Sequence, residues 1–291
     1  MVPLTPAPGD GVHGLIQLAV PNLTGKEAEY TAQAIANGYI GPGGPFMERF
    51  EELVAKASGR KWAVAVLTGT AALHATAHVL GYRGRGVFVP EDAFPAARNV
   101  FREIGCAVEF GEGGENHDAA VYRAHYAAEA FADRAPAIGE PPFAECIAET
   151  YSFAANKIVT CGHGGAVVGD EKSFEAAVRS VIRQGRNRSG IFNYRMADIN
   201  AAIGCAQMER LDELKAAKRR IWQRYVGAGL PMMERGASRW MATTTLKLDI
   251  AKLADMGIEA REECGGVSLP CSTGITEAEL DRVIKAALRR I

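Results

Sequence analysis

Short apolar runs alternate with helix-period stretches through most of the chain. Trp62 to Leu67 reads as a strand, Ala71 to Leu80 as a helix, Val87 to Val89 as a strand, Ala96 to Ile104 as a helix and Ala107 to Phe110 as a strand. Ala119 to Tyr122 and Glu129 to Ala132 add two strand candidates. Glu149 to Val168 reads as strand, tight loop and strand, and Ser173 to Ile182 as a helix. Upstream, Thr24-Gly25-Lys26-Glu27 has the form of a capping box opening a helix to about Asn37. The glycines and prolines of Gly38 to Pro45 require a loop, after which Phe46, Phe50, Leu53, Val54 and Ala57 recur at helical spacing. Strands alternating with helices imply an α/β fold with a mostly parallel sheet, whose ligands bind at the carboxyl ends of the strands.

After Met196 one long helical pattern runs toward Tyr225. Beyond it, Thr243 to Leu248 alternates like a strand and Leu253 to Met256 fits a short helix. Thr276 and Glu279 form a second capping box ahead of a stripe of Leu280, Val283, Ile284, Ala287 and Leu288. The organisation expected is an irregular lead-in over 1–13, a large domain over 14–215 and a small α+β domain over 216–291.

With 291 residues, 48% of them hydrophobic, the chain can bury a substantial core. A net charge of −1 leaves no footprint for nucleic acid or an anionic membrane. The basic run Lys218-Arg219-Arg220 falls in a helical pattern and reads as a solvated face. Six cysteines without a CxxC pair read as reduced thiols, with neither a disulfide framework nor a metal site. No apolar run reaches membrane-spanning length, and the N-terminus lacks a basic segment followed by an apolar one. A cytoplasmic protein is expected.

Several chemistry-bearing residues follow strands. Lys157, between apolar runs and ahead of Gly162, Gly164 and Gly165, suits an amine that attacks a carbonyl, or a surface lysine beside a turn. Thr68-Gly69-Thr70 stands between a strand and a helix, as an anion site or an ordinary N-cap turn. Asp133 could pair with a cationic ring nitrogen or cap a turn. Phe94 could cover a flat ligand or pack in the core, and Ser152 could donate to a phosphate. Phosphate cradle, aromatic cover, carboxylate and lysine at one sheet edge together describe a pyridoxal phosphate site.

The chain resembles the DegT/DnrJ/EryC1/StrS family of sugar aminotransferases, with the aspartate-aminotransferase fold (fold type I). The likeness runs through Gly38 to Glu51, Leu67 to Leu73, Val89-Pro90 with Phe94, Asp133 to Pro136, and Ser152-Phe153 with Lys157. Its most specific stretch is Asn193 to Gly204, followed by Gln207 and Leu211-Asp212. The resemblance implies that Lys157 carries pyridoxal 5′-phosphate as a covalent aldimine and that Asp133 pairs with the pyridine nitrogen. It further implies that Phe94 stacks on the ring, and that Gly69, Thr70 and Ser152 hold the phosphate. Asn193 would reach the phosphate of a neighbouring subunit in a homodimer with shared active sites. The implied reaction moves an amino group from glutamate or a similar donor to a nucleotide-linked keto sugar. Pro136 stands where a glutamine is common, and His163 where a small or acidic residue is. The segment from Phe110 to Phe131 is short and lacks a helix, and the C-terminal domain is abbreviated. These departures leave two other readings open: a transaminase of a smaller ketone or cyclitol, and a non-catalytic homologue with a binding or regulatory role.

Overall fold

The computed structural model describes residues 14–91, 93–111, 120–127, 129–183, 192–234, 236–263 and 265–289. Helices α1 (Glu27–Ala36) and α2 (Pro45–Ser58) precede β1 (Trp62–Val66), α3 (Gly69–Val79), β2 (Gly86–Pro90), α4 (Pro95–Glu103) and β3 (Ala107–Gly111). Then come β4 (Ala120–Ala124), β5 (Ala130–Asp133), β6 (Ala148–Ser152), β7 (Gly165–Gly169), α5 (Lys172–Ile182), α6 (Asp198–Met208) and α7 (Leu211–Gly227). The last described elements are β8 (Ala242–Thr244), α8 (Ile250–Asp255), β9 (Arg261–Glu263), β10 (Gly266–Leu269) and α9 (Glu277–Leu288).

The larger sheet has the order β1-β7-β6-β5-β4-β2-β3. Parallel pairing of β2 with β3 and of β5 with β6, and antiparallel pairing elsewhere, leave five strands running one way against β4 and β7. The sheet is mostly parallel in the direction of its strands, as the alternation implied, although four of its six neighbouring pairs are antiparallel. β1 and β7 are buried at every position, which is why they read as unbroken apolar runs rather than alternating ones. β4 is reversed because it forms a hairpin with β5 through a tight turn in which Tyr126 takes a left-handed φ of 58°. No helix occurs among the described residues between Phe110 and Phe131.

The chain divides into two compact units. One holds Leu23–Lys215 with Arg235–Ser238, and the other holds the residues up to Asn22, Ala216–Glu234 and Arg239–Ile291. The stretch from residue 14 to 22, expected in the large domain, thus lies with the C-terminal unit. Its reason is local: Ile16 and Leu18 are buried, the Ile16 amide donates to the Gly257 carbonyl at 2.7 Å, and the Leu18 amide to the Glu259 carboxylate at 2.9 Å. In this unit the strands run β8-β10-β9, and Val283, Ala286 and Ala287 of α9 are buried in its core. Its Thr276 capping box is formed as expected.

Three other expectations are corrected. α1 opens at Glu27 itself, after Lys26 and without a side-chain cap, so the expected capping box is not its N-terminus. Glu27 is buried and accepts from the Gly25 amide at 2.8 Å and the Gln207 side chain at 2.5 Å, with Arg210 at 3.7 Å. The long helix after Met196 is two helices, broken at Glu209 and Arg210, where Arg210 turns toward Glu27. Lys218 is not on a solvated face. Its ammonium is buried and donates to the carbonyls of Trp240 at 2.9 Å and Cys271 at 2.7 Å. The five described cysteines are free and buried, while Cys264 lies outside the described residues.

Candidate active site

Where β1 ends, the chain turns directly into α3. Thr68 is extended at φ −156° and its hydroxyl accepts the Ala71 amide at 3.0 Å, which fixes the first turn. Gly69 and Thr70 open the helix, so their amides have no partner within it and the positive end of the helix dipole lies there. Ser152 ends β6 and pairs in register with Gly165 of β7. A methyl group on Gly69 would stand 2.8 Å from Cβ of Ser152, and one on Gly165 would stand 2.4 Å from the Thr68 carbonyl oxygen. Three segments therefore meet where only hydrogen fits, and the meeting point is a helix N-terminus beside a hydroxyl.

Asp133 ends β5, opposite Thr150 of β6. Its carboxylate accepts the Ala135 amide at 3.0 Å. Burial pushes its pKa above the ordinary carboxylate value, while the Ala135 amide and the charge of Lys157 pull it back. Lys157 is half-buried on the loop between β6 and β7, in a turn closed by its amide on the Ala154 carbonyl at 3.0 Å. The Cys161 amide bonds the Phe153 carbonyl at 2.9 Å and the Phe153 amide the Gly164 carbonyl at 2.9 Å, strapping the loop back to β6.

Phe94 precedes α4 and is 72% exposed, which removes the core-packing explanation for it. Thr70 and Asn193 are exposed too, and the side-chain Oδ1 of Asn193 accepts from Nε of Arg195 at 3.1 Å. The Leu67 amide donates to the Tyr194 carbonyl at 2.9 Å, so Asn193 sits next to the chain that runs beside the start of α3. The structure thus brings Gly69 against Ser152 and Lys157 within electrostatic reach of Asp133. His163 is solvent-exposed.

Sequence reading missed the residues that hold these pieces in place. Asp198 is fully buried and accepts the Met47 amide at 2.8 Å, capping α2 from a different helix. Gly44 has no side chain because a Cβ would meet that carboxylate at 2.3 Å. Asn200 donates to the Cys161 carbonyl at 2.8 Å. Both lie within the Asn193–Gly204 stretch, and a polar residue at every second position of Asp198-Ile199-Asn200 was the available signal. Near the other end of β6, Glu149 accepts from Arg60 at 2.7 Å, from the Phe143 amide at 2.9 Å and from the Tyr151 hydroxyl at 2.7 Å. Arg60 also bonds Asp170 at 2.8 Å, so β6 and the residue after β7 are held by one buried guanidinium.

The residues present fit a pyridoxal phosphate. The cradle of Gly69, Ser152 and Gly165 would be closed by a single methyl group, and the Asp133 carboxylate at the end of β5 and Lys157 on the β6–β7 loop lie within electrostatic reach of each other. Among the described residues, no group of three or more His, Cys, Asp or Glu side chains could hold a metal ion.

Comparison with known proteins shows the family. The profile of the DegT/DnrJ/EryC1/StrS aminotransferase family matches residues 21–115 and 128–234. The GDP-perosamine synthase of Caulobacter vibrioides is 29% identical over 361 aligned positions, covering 93% of this chain and 97% of that protein. That of Vibrio cholerae is 30% identical, covering 75% of this chain and 72% of its own. Among solved structures, DesI in the presence of its TDP-sugar product has a TM-score of 0.77 at 20% identity, covering 94% of this chain and 93% of its own. The PLP form of Spr1654 from Streptococcus pneumoniae has a TM-score of 0.79 at 17% identity, covering 93% and 97%. At these identities the two structures show a shared fold. The 361-position alignment far exceeds the 291 residues here, so the Caulobacter protein carries stretches that this chain lacks.

Proposed function

The chain belongs to the DegT/DnrJ/EryC1/StrS aminotransferase family and is a pyridoxal-phosphate-dependent aminotransferase, and we propose that it moves an amino group from glutamate, or a similar donor, to a nucleotide-linked keto sugar. The observation that carries this reading is the cradle of Gly69, Ser152 and Gly165 set beside Lys157 and Asp133. The linked sugar is supported by two relatives named for a GDP-linked amino sugar.

In this reading the amides of Gly69 and Thr70 and the hydroxyl of Ser152 donate to the phosphate. Phe94 covers one face of the ring. Asp133 would hold the ring nitrogen in its protonated form, and its carboxylate would stay ionised beside that positive charge despite its burial. The cofactor supplies a carbonyl for the donor amine and an electron sink for the charge left when the donor's α-hydrogen departs as a proton. Lys157 would take that proton at Nζ and hold it for return to the product side, so it must be neutral when it acts. The Glu149–Arg60 pair keeps β6, and therefore Ser152, in place while the proton moves.

A homodimer completes the site, with Asn193 of each chain reaching the phosphate bound by the other; its exposure supports this. The free, buried cysteines support a cytoplasmic setting. Transfer to a smaller ketone or cyclitol is the second reading, favoured by the stretches missing relative to the Caulobacter protein. A non-catalytic role is disfavoured because Lys157, Asp133 and Ser152 are all retained.

The test is a two-substrate assay: the protein with glutamate and either a GDP-linked or a free keto sugar, scored by 2-oxoglutarate release. Turnover with the linked sugar alone supports the proposal. Turnover with free ketones alone selects the second reading.

A further inference from the structure

We propose that the face of β2, β3 and β4 turned away from the hydrophobic core is a contact surface between two copies of this chain. Val87 and Val89 of β2 and Tyr122 and Ala124 of β4 are buried in that core. The residues between them face the other way, and Phe88 is 50% and Val121 38% exposed. The β4–β5 hairpin supplies only a tight turn here, and Tyr126 in it is fully exposed. Apolar side chains grouped in this way on a sheet face mark interaction sites more often than isolated ones do.

The register identifies the partner. Phe88 is paired with Glu109 of β3 on one side and with Arg123 of β4 on the other. An acid, an aromatic ring and a base therefore form one row across three strands, spaced by about 4.8 Å each. Glu109 and Arg123 are exposed. A two-fold axis parallel to the strands and passing over Phe88 reverses this row in the second copy. It lays Glu109 of each copy on Arg123 of the other and packs the two Phe88 rings together, the self-complementarity that an isologous contact needs. His125 stays within each copy, where it meets Glu109 at 3.2 Å and the Phe88 ring at 4.7 Å between centroids. This contact lies apart from the one proposed through Asn193, and with both formed about perpendicular two-fold axes the assembly closes as a tetramer.

The test is the mass of the full-length protein in solution by light scattering, for wild type and charge variants. Glu109→Arg and Arg123→Glu should each halve the mass, and the double variant should restore it. Phe88→Cys should form, under mild oxidation, a pair of chains that a thiol reductant separates. Masses unchanged in both single variants, or no recovery in the double variant while circular dichroism shows it folded, would overturn the proposal. So would absence of the cross-link. A wild-type mass equal to that of the single variants also overturns it and leaves the face to a different kind of partner.

Discussion

Asn200 donates its side-chain amide to the Cys161 carbonyl at 2.8 Å, and so fastens α6 to the loop that carries Lys157. The same helix starts at Asp198, whose carboxylate caps α2. One turn of α6 thus fixes both the loop after residue 40 and the lysine loop.

Asn200→Ala should therefore misplace the lysine without unfolding the protein. A displacement of this kind costs up to about a hundredfold in rate, and the loss should fall on kcat with little change in KM. Asn200→Asp keeps the size but sets a carboxylate against a carbonyl, and should be worse than alanine. Single-turnover rates with glutamate, beside melting curves, check this; equal kcat in all three proteins would refute the positioning role.

Gly165→Ala should close the cradle. Its new methyl group would meet the Thr68 carbonyl at 2.4 Å, which is backbone and cannot swing away. Overpacking of this kind costs about 1–3 kcal/mol, and the start of α3 must move, so affinity for pyridoxal phosphate should fall together with stability. Titration of the apo-protein with the cofactor measures the first and thermal melting the second.

Asp133 makes a pH prediction. Burial raises its pKa in the folded apo-protein, so the folded chain holds that proton more firmly than the unfolded one. Its stabilising contribution is complete below the unfolded pKa and is lost as pH rises through the folded one. Asp133→Asn removes this dependence while keeping an acceptor for the Ala135 amide. The apo-variant should gain on wild type as pH rises from acid toward neutral, and should bind the cofactor poorly. Melting temperatures of both apo-proteins across that range decide it, and parallel curves would contradict it.

Glu149→Ala should be the most damaging of the substitutions considered. It leaves the Arg60 guanidinium and the Tyr151 hydroxyl without their buried partner. Breaking one side of a buried ion pair costs about 3–5 kcal/mol, which denaturant unfolding of the apo-protein would read directly.

The strands and their loops were legible because β1 and β7 are apolar runs and β6 ends on the Ser152 hydroxyl ahead of Lys157 and its glycines, and a helix N-terminus announces itself by Thr68-Gly69. The reversal of β4 was not legible, since a short apolar strand carries no mark of its direction. Glu27 and Lys218 were misread for one reason: each has the sequence context of a surface residue, and each is buried by partners far along the chain, Gln207 for one and the Trp240 and Cys271 carbonyls for the other. Asp198 belonged to the stretch most specific to the family, yet its contact with Met47 spans 151 residues and no local pattern reveals it.

The most direct test of the account is the absorbance spectrum of the purified protein with pyridoxal phosphate, recorded before and after adding glutamate, in wild type and Lys157→Ala. Wild type should show a band near the visible edge that shifts on adding glutamate and is missing from the variant. No band in wild type after incubation with the cofactor, or the same band in Lys157→Ala, would contradict it.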